Sequence, residues 1–207
     1  MPNNSSHFYQ PKDGHGLVHD PFNSIIAPRP IGWISSQDNN GKVNLAPYSF
    51  FNAFNYHPPL IGFSSVGYKD SVRNIEHTGE FCWSLVSATL AEQMNISSAA
   101  VASDVDEFEL AKLQKQQGKL VRVPFVAQSP VAMECKLSQI IQLKGASGEL
   151  CETWLVIGEV VGVHIDQSVL LNGVYSTTAA KPIMRGGGPG DYFGVSEEQK
   201  FQLFRPS

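Results

Sequence analysis

Short apolar runs separated by Gly, Pro or Asn recur along most of this 207-residue chain. Runs of about four to eight residues between such breakers are typical of strands. The runs 31–36 and 43–46 flank the turn cluster 38–41, which predicts a β-hairpin. Further strands are predicted at 49–55, 60–65, 81–86, 131–143, 153–165 and 168–171. Many strands without regular β-α-β alternation predict a mainly β fold, a closed or split antiparallel barrel.

Two segments have a helical pattern instead. Residues 71–78 predict a helix that Asp70 or Ser71 caps and that Gly79 ends. Residues 88–120 predict a helical insertion, in which the acidic run 104–109 is an exposed helix start stabilised by the helix dipole.

Charge and cysteine content exclude several classes of protein. The net charge is −4 and the 15 basic residues are scattered, which predicts no binding of nucleic acid. No run of about 20 apolar residues is present, so we expect no membrane helix. The first 30 residues contain His, Asp, Asn and Pro where a signal peptide needs an apolar core, so we expect no signal peptide. Cys82, Cys135 and Cys151 lack a C-x-x-C spacing and are predicted to be free thiols, small core residues of a cytoplasmic protein.

Ordinary catalytic templates are missing from the sequence. No serine elbow is found, and no Glu accompanies His15 and His19 as a zinc-protease base, so no metal site is predicted. His164 lies in an apolar run, which favours a core histidine hydrogen-bonded by backbone over a proton donor.

Two neighbouring segments contain the kinds of residue that bind a mononucleotide. Residues 44–50 contain Pro47, which is expected to break a strand and leave amides free to bond the edge of a flat heterocycle. Residues 64–71 combine hydroxyls, Lys69 and a helix start, which together can hold a phosphate. We expect Asp70 to cap the helix while Lys69 supplies the charge, the alternative being that Lys69 is an ordinary solvated lysine.

An ordered set of motifs covers most of the chain. The motifs are P-R-P-I-G-W-I-S from Pro28, N-L-A-P-Y-S-F-F-N from Asn44, P-P-L from Pro58, K-D-S from Lys69, N-I from Asn74, T-G-E-F from Thr78, S-P-V-A-M-E-C from Ser129 and G-E-V-V-G-V-H-I from Gly158. Together they resemble the flavin reductase-like family of FMN-binding split barrels. The fold this implies is a mainly β, Greek-key, antiparallel split barrel with a few peripheral helices.

The resemblance also implies a domain layout, an assembly and a cofactor site. One domain is expected over 1–207, with barrel strands in 28–86 and 129–175, the insertion 88–120 and a tail 180–207. A homodimer is expected to hold FMN in clefts at the subunit interface, and the charged fraction of only 16% also favours a surface covered by a partner. The ring is assigned to Ala46, Pro47, Tyr48, Ser49 and Phe50, the phosphate end to Ser64, Ser65, Lys69, Asp70 and Ser71, and second-rank contacts to Asn44, Trp33 and Asn52. Arg185, Gly187 and Tyr192 resemble a C-terminal family segment whose role stays open.

The function implied is an FMN-dependent oxidoreductase with NADH or NADPH as electron donor. Electrons would pass to free flavin, oxygen, ferric chelates or a partner monooxygenase. Because the cofactor carries the redox chemistry, no catalytic side chain is assigned. The alternatives are a non-catalytic flavin-binding or electron-carrier protein, and a structural or interaction barrel without ligand.

Overall fold

The computed structural model describes residues 6–206, so residues 1–5 and 207, at the ends of the expected domain 1–207 and tail 180–207, lie outside the described part. The strands are β1 Arg29–Pro30, β2 Gly32–Gln37, β3 Val43–Tyr48, β4 Phe51–Asn55, β5 Leu60–Val66, β6 Glu80–Ser84, β7 Lys115–Gln116, β8 Phe125–Val126, β9 Val131–Lys144, β10 Leu150–Ile165, β11 Leu170–Leu171, β12 Val174–Tyr175, β13 Ile183–Arg185 and β14 Tyr192–Gly194. The α-helices are α1 Phe22–Ile25, α2 Asp70–Thr78, α3 Ala91–Ile96, α4 Glu107–Leu110 and α5 Thr177–Ala180, with 3-10 turns at Pro11–Asp13, Ala88–Leu90, Gln167–Val169 and Glu197–Gln199. Among residues 6–206, no helix has the length and apolar character that a bilayer span requires.

A seven-stranded sheet in the order β3-β2-β6-β9-β10-β5-β4 dominates the structure. Every neighbouring pair in it is antiparallel, and the predicted first hairpin is confirmed as β2 and β3. The sheet curls until β3 faces β5, where the rings of Tyr48 and Phe63 lie 4.4 Å apart between centroids. Inside the curl lies a buried cluster that includes Ile34, Phe63, Phe81 and Val156. The mainly β prediction is therefore confirmed.

Pro47 lies inside a strand, so the predicted strand break there is wrong. Its Cα pairs with that of Trp33 in the β2–β3 ladder. β3 is an edge strand of the sheet, and an edge strand tolerates proline because its outward-facing amides need no ladder partner.

The helix α2 ends as predicted but begins differently. Gly79 has a φ of +71°, and its amide donates to the Ile75 carbonyl at 2.8 Å, which closes the helix. The predicted cap by Asp70 or Ser71 is wrong: the N-cap residue is Lys69, without a side-chain cap. Asp70 is the first helical residue, and its carboxylate pairs with Arg73 one turn later. Pairing with Arg73 thus takes the place of capping.

The segment 88–120 is less helical than predicted. Its helices are short, and β7 pairs with β8 in a hairpin that the sequence pattern did not indicate. The segment covers the outer face of the sheet, where Leu90, Met94 and Phe108 bury Trp33 completely. The prediction of an exposed acidic helix start is also wrong in part, because Glu107 is buried.

Glu134 on β9 fastens the connection before β8 to the sheet. Its buried carboxylate accepts hydrogen bonds from the amides of Lys119 at 2.9 Å, Leu120 at 2.6 Å and Val121 at 2.9 Å. His164 Nε2 donates to the same carboxylate at 2.6 Å, so the prediction of a backbone partner for this histidine is wrong. Burial alone would raise the pKa of Glu134, but these donors lower it to about 2. The group is therefore an ionised buried carboxylate.

The three cysteines are free thiols, as predicted. Cys82 and Cys135 are buried, whereas Cys151 is half-buried. Burial raises the pKa of the Cys82 and Cys135 thiols, which keeps both of them protonated at neutral pH.

Candidate functional site

A cavity of about 350 Å³ opens along the edge of β3 and the start of α2. We call it the β3 cleft. The predicted cofactor residues that line it are Asn44, Ala46, Pro47, Tyr48, Lys69, Asp70 and Ser71. The fold thus brings the N-L-A-P-Y and K-D-S motifs to one place, although residues 49–68 separate them in the chain.

The β3 side of the cleft is neutral and fixed in position. Asn44 Nδ2 donates to Ser71 Oγ at 2.8 Å, which ties β3 to the first turn of α2. Tyr48 is buried, and burial raises the pKa of its phenol against the opposing effect of the Ser71 and Ser65 hydroxyls. A neutral phenol and edge-strand backbone therefore form this wall.

The α2 side of the cleft suits an anion. Lys69 is exposed, and within residues 6–206 its ammonium forms no ion pair. Asp70 lines the same cleft, but its carboxylate is paired with Arg73. The amides at the start of this nine-residue helix and the Ser71 side chain add further polar groups. One uncompensated cation thus stands beside a helix N-terminus.

The opposite wall comes from residues that the sequence analysis missed. They belong to the insertion: Ser97, Ser98, Ala99, Ala100, Val101 and Glu107. Nothing in their spacing indicated a ligand site, and only the run of small residues at 97–100 marks a segment that can approach a ligand closely.

Trp33 lies behind the wall of the cleft that Ser97 belongs to. The side chain has no exposed surface and does not line the cavity. Its Nε1 donates to Ser97 Oγ at 2.9 Å, and that hydroxyl donates to the Met94 carbonyl at 2.7 Å. Trp33 therefore positions the second wall of the cleft.

The remaining predicted residues lie elsewhere. Phe50, Asn52 and Ser64 line a separate recess of about 340 Å³. Ser65 is buried, and its hydroxyl donates to the Gly67 carbonyl at 2.9 Å. Ser49 lines neither cavity. Within one chain, the predicted set is thus divided: most of its residues line one of two cavities, and Trp33, Ser49 and Ser65 line neither.

Arg29, which the sequence analysis did not assign to the site, holds the turn between β3 and β4. Its Nε donates to the Ser49 carbonyl and its Nη2 to the Gly186 carbonyl, both at 3.1 Å. Its guanidinium lies 5.6 Å from the centre of the Phe50 ring. The tail segment is ordered in the same way, because Arg185 donates to the Gly188 carbonyl at 2.8 Å. Arg29 thus connects the tail to the segment between β3 and β4, and Arg185 stabilises the tail internally.

Most of the chain matches a known protein family. Residues 25–183 match the family model described as the flavin reductase like domain. This chain belongs to the flavin reductase-like family. The match includes β3, α2 and the insertion, so every wall of the β3 cleft lies within the flavin reductase-like region.

Solved and curated members of the family resemble the whole chain. The nitrilotriacetate monooxygenase component B of Bacillus cereus is 31% identical, with a TM-score of 0.81 over 98% of this chain and 96% of its own. A split barrel domain structure from Shewanella frigidimarina is 26% identical, with a TM-score of 0.78 over 88% and 90% of the two chains. The uncharacterized protein YwrF of Bacillus subtilis is 33% identical over 95% of each chain. The predicted split-barrel fold is confirmed, and membership of this family supports a flavin-related redox function.

Proposed function

We propose that this protein is an FMN-dependent oxidoreductase that binds FMN in the β3 cleft and takes electrons from NADH or NADPH. One observation carries the proposal: the cleft joins edge-strand backbone on one side to Lys69 at a helix start on the other, a lysine without an ion pair in the described part of the chain. A flat heterocycle with a phosphate-bearing arm needs these two kinds of surface.

The residues present fit that cofactor. Lys69, Ser71 and the start of α2 would hold the phosphate, and Asn44 to Tyr48 would meet the edge of the ring. The cavity volume of about 350 Å³ lies near the lower end of ligand sites, which span roughly 300–1,000 Å³. A second subunit would complete the enclosure.

A homodimer is the assembly that we propose around the cofactor. Apolar side chains on the neighbouring strands β4 and β5 face outward: Phe54 is 53% exposed and Val66 60%. Leu155 on the next strand, β10, pairs with Ser64 beside them. Neighbouring exposed apolar side chains are typical of protein interfaces. Packing two copies together would bury these side chains and would bring a second set of residues to each cleft.

Sedimentation is expected to give twice the mass of one chain at micromolar concentration. The apolar side chains on β4 and β5 would then be covered by the second copy. Replacing Val66 by Asp, on that outward face, is expected to shift the protein towards single chains. A wild-type protein that sediments as one chain at this concentration contradicts the proposed dimer.

Bound FMN would supply the electron-transfer chemistry, and the protein would supply binding and orientation. The neutral wall at Tyr48 and the buried Trp33 behind Ser97 keep the cleft in one shape. The Bacillus cereus relative is component B of a monooxygenase, which supports a partner monooxygenase as an acceptor beside free flavin, oxygen and ferric chelates.

Fluorescence and absorbance spectra test the proposal directly. Apoprotein mixed with FMN is expected to quench the flavin fluorescence, and anaerobic NADH or NADPH is expected to bleach the bound flavin band. Loss of quenching would contradict cofactor binding itself. Quenching without bleaching by either nicotinamide would contradict the reductase and leave a flavin carrier as the function.

A further inference from the structure

Glu107 is a buried carboxylate in the wall of the β3 cleft. It is the first residue of α4, it is 7% exposed, and it lines the cavity together with Asn44 and Ala46. Glutamate is rarely buried this far unless it is paired. Its partners inside the protein therefore decide what else the group can bind.

In the described part of the chain, one hydrogen bond from another residue reaches this carboxylate. Glu107 Oε2 accepts from the Leu45 amide at 3.0 Å, which satisfies an outward-facing amide of the edge strand β3. An ionised carboxylate has about four acceptor sites, so most of its capacity is left. Among residues 6–206, no Lys, Arg or His forms an ion pair with it.

The charged groups near Glu107 do not neutralise its carboxylate either. Burial raises the pKa of its carboxyl, and the carboxylates of Asp106 and Asp70 raise it further, against the amides of Leu45 and of Glu107 itself. Asp70 is paired with Arg73, and Asp106 with Lys115, so neither cation is available to Glu107. A hydrogen-bond donor from a bound molecule would satisfy the group that the chain leaves only partly satisfied.

We propose that Glu107 accepts a hydrogen bond from the bound flavin, from a ribityl hydroxyl or from the imide N–H of the ring. This inference rests on the proposed function. The phosphate arm offers oxygens that a carboxylate would repel, whereas the ribityl chain and the imide carry donors. Lys69 and Glu107 would then recognise different parts of one ligand, the lysine its acceptors and the glutamate its donors.

The competing role for Glu107 is to satisfy the Leu45 amide alone. Glu107→Gln separates the two roles, because the glutamine carbonyl still accepts from Leu45 while its NH2 group cannot accept from a ligand. Glu109→Gln is the matched control, since Glu109 is exposed on the same helix and does not line the cleft.

Flavin titrations of the apoproteins provide the test, with their melting temperatures measured alongside. E107Q is expected to melt near the wild type and to bind FMN and riboflavin about tenfold more weakly, by equal factors, while E109Q binds both normally. Lumiflavin, which lacks the ribityl chain, locates the donor: an equal loss indicates the ring imide, and no loss indicates a ribityl hydroxyl. If E107Q does not fold, Glu107→Asp is titrated instead, with the same equal loss expected from its shorter side chain.

Unchanged affinity in E107Q, or tighter binding of FMN, overturns the inference while the wild type still binds flavin. A wild-type protein that binds no flavin overturns the proposed function and this inference with it. The two failures are therefore distinguishable in one set of titrations.

Discussion

Replacing Glu134 by alanine is expected to lower the free energy of unfolding by about 3–5 kcal/mol, the usual cost of breaking a buried charge pair. The carboxylate holds the amides of Lys119, Leu120 and Val121 and the ring of His164. Without it, the buried Val121 amide has no acceptor, which costs about 1–3 kcal/mol in the folded state, and the part-buried amides of Lys119 and Leu120 lose their partner as well. Urea denaturation followed by tryptophan fluorescence measures the loss.

The same carboxylate gives the stability a dependence on acid pH. Its pKa falls from an ordinary value of 4.5 to about 2 on folding, so the folded state favours the ionised form. The stabilisation is therefore complete above about pH 4.5 and is lost as the pH falls through 2. Glu134→Gln is expected to flatten this part of the pH profile. Parallel wild-type and variant profiles would show that Glu134 is not the titrating group.

Replacing Lys69 by alanine is expected to weaken FMN binding by about tenfold to a hundredfold, or about 1.5–3 kcal/mol, with little change for riboflavin. Lys69 lies at the α2 side of the β3 cleft and has no ion pair among residues 6–206. Riboflavin differs from FMN by lacking the phosphate. Quenching of flavin fluorescence during titration measures both affinities.

Lys144→Ala is the control for this measurement, because Lys144 is exposed at the end of β9 and does not line the cleft. It is expected to bind both flavins as the wild type does. An equal loss of FMN and riboflavin in the Lys69 variant would place the phosphate somewhere else. A loss of riboflavin alone would exclude any phosphate contact by this lysine.

Local patterns predicted the parts of the fold that depend on neighbouring residues. The stop at Gly79 follows from the left-handed backbone that glycine adopts, and the β2–β3 hairpin follows from its turn residues. The start of α2 was mispredicted because Arg73, one turn along, pairs with Asp70. Pro47 was mispredicted because its tolerance depends on β3 being an edge strand, which only the assembled sheet decides.

The sequence analysis did not predict contacts between distant segments. His164 meets Glu134 only because β9 and β10 pair in one register, and the amides that share this carboxylate belong to a third segment. The residues of the site show the same difference between local patterns and distant contacts. Motifs on β3 and α2 identified one half of the cleft, whereas the wall at 97–101 comes from a connection with no ligand-binding pattern.

That wall has a consequence for how the protein can diversify. Residues 97–101 and Glu107 belong to the connection between β6 and β9, which packs on the outer face of the sheet, whereas the barrel interior is built from strands. Changes in a surface connection cost a fold less than changes in its core. Changes at the exposed residues 98–100 are therefore expected to reshape the cleft at little cost in stability, because Trp33 and the buried side chains Met94 and Phe108 hold the connection on the sheet.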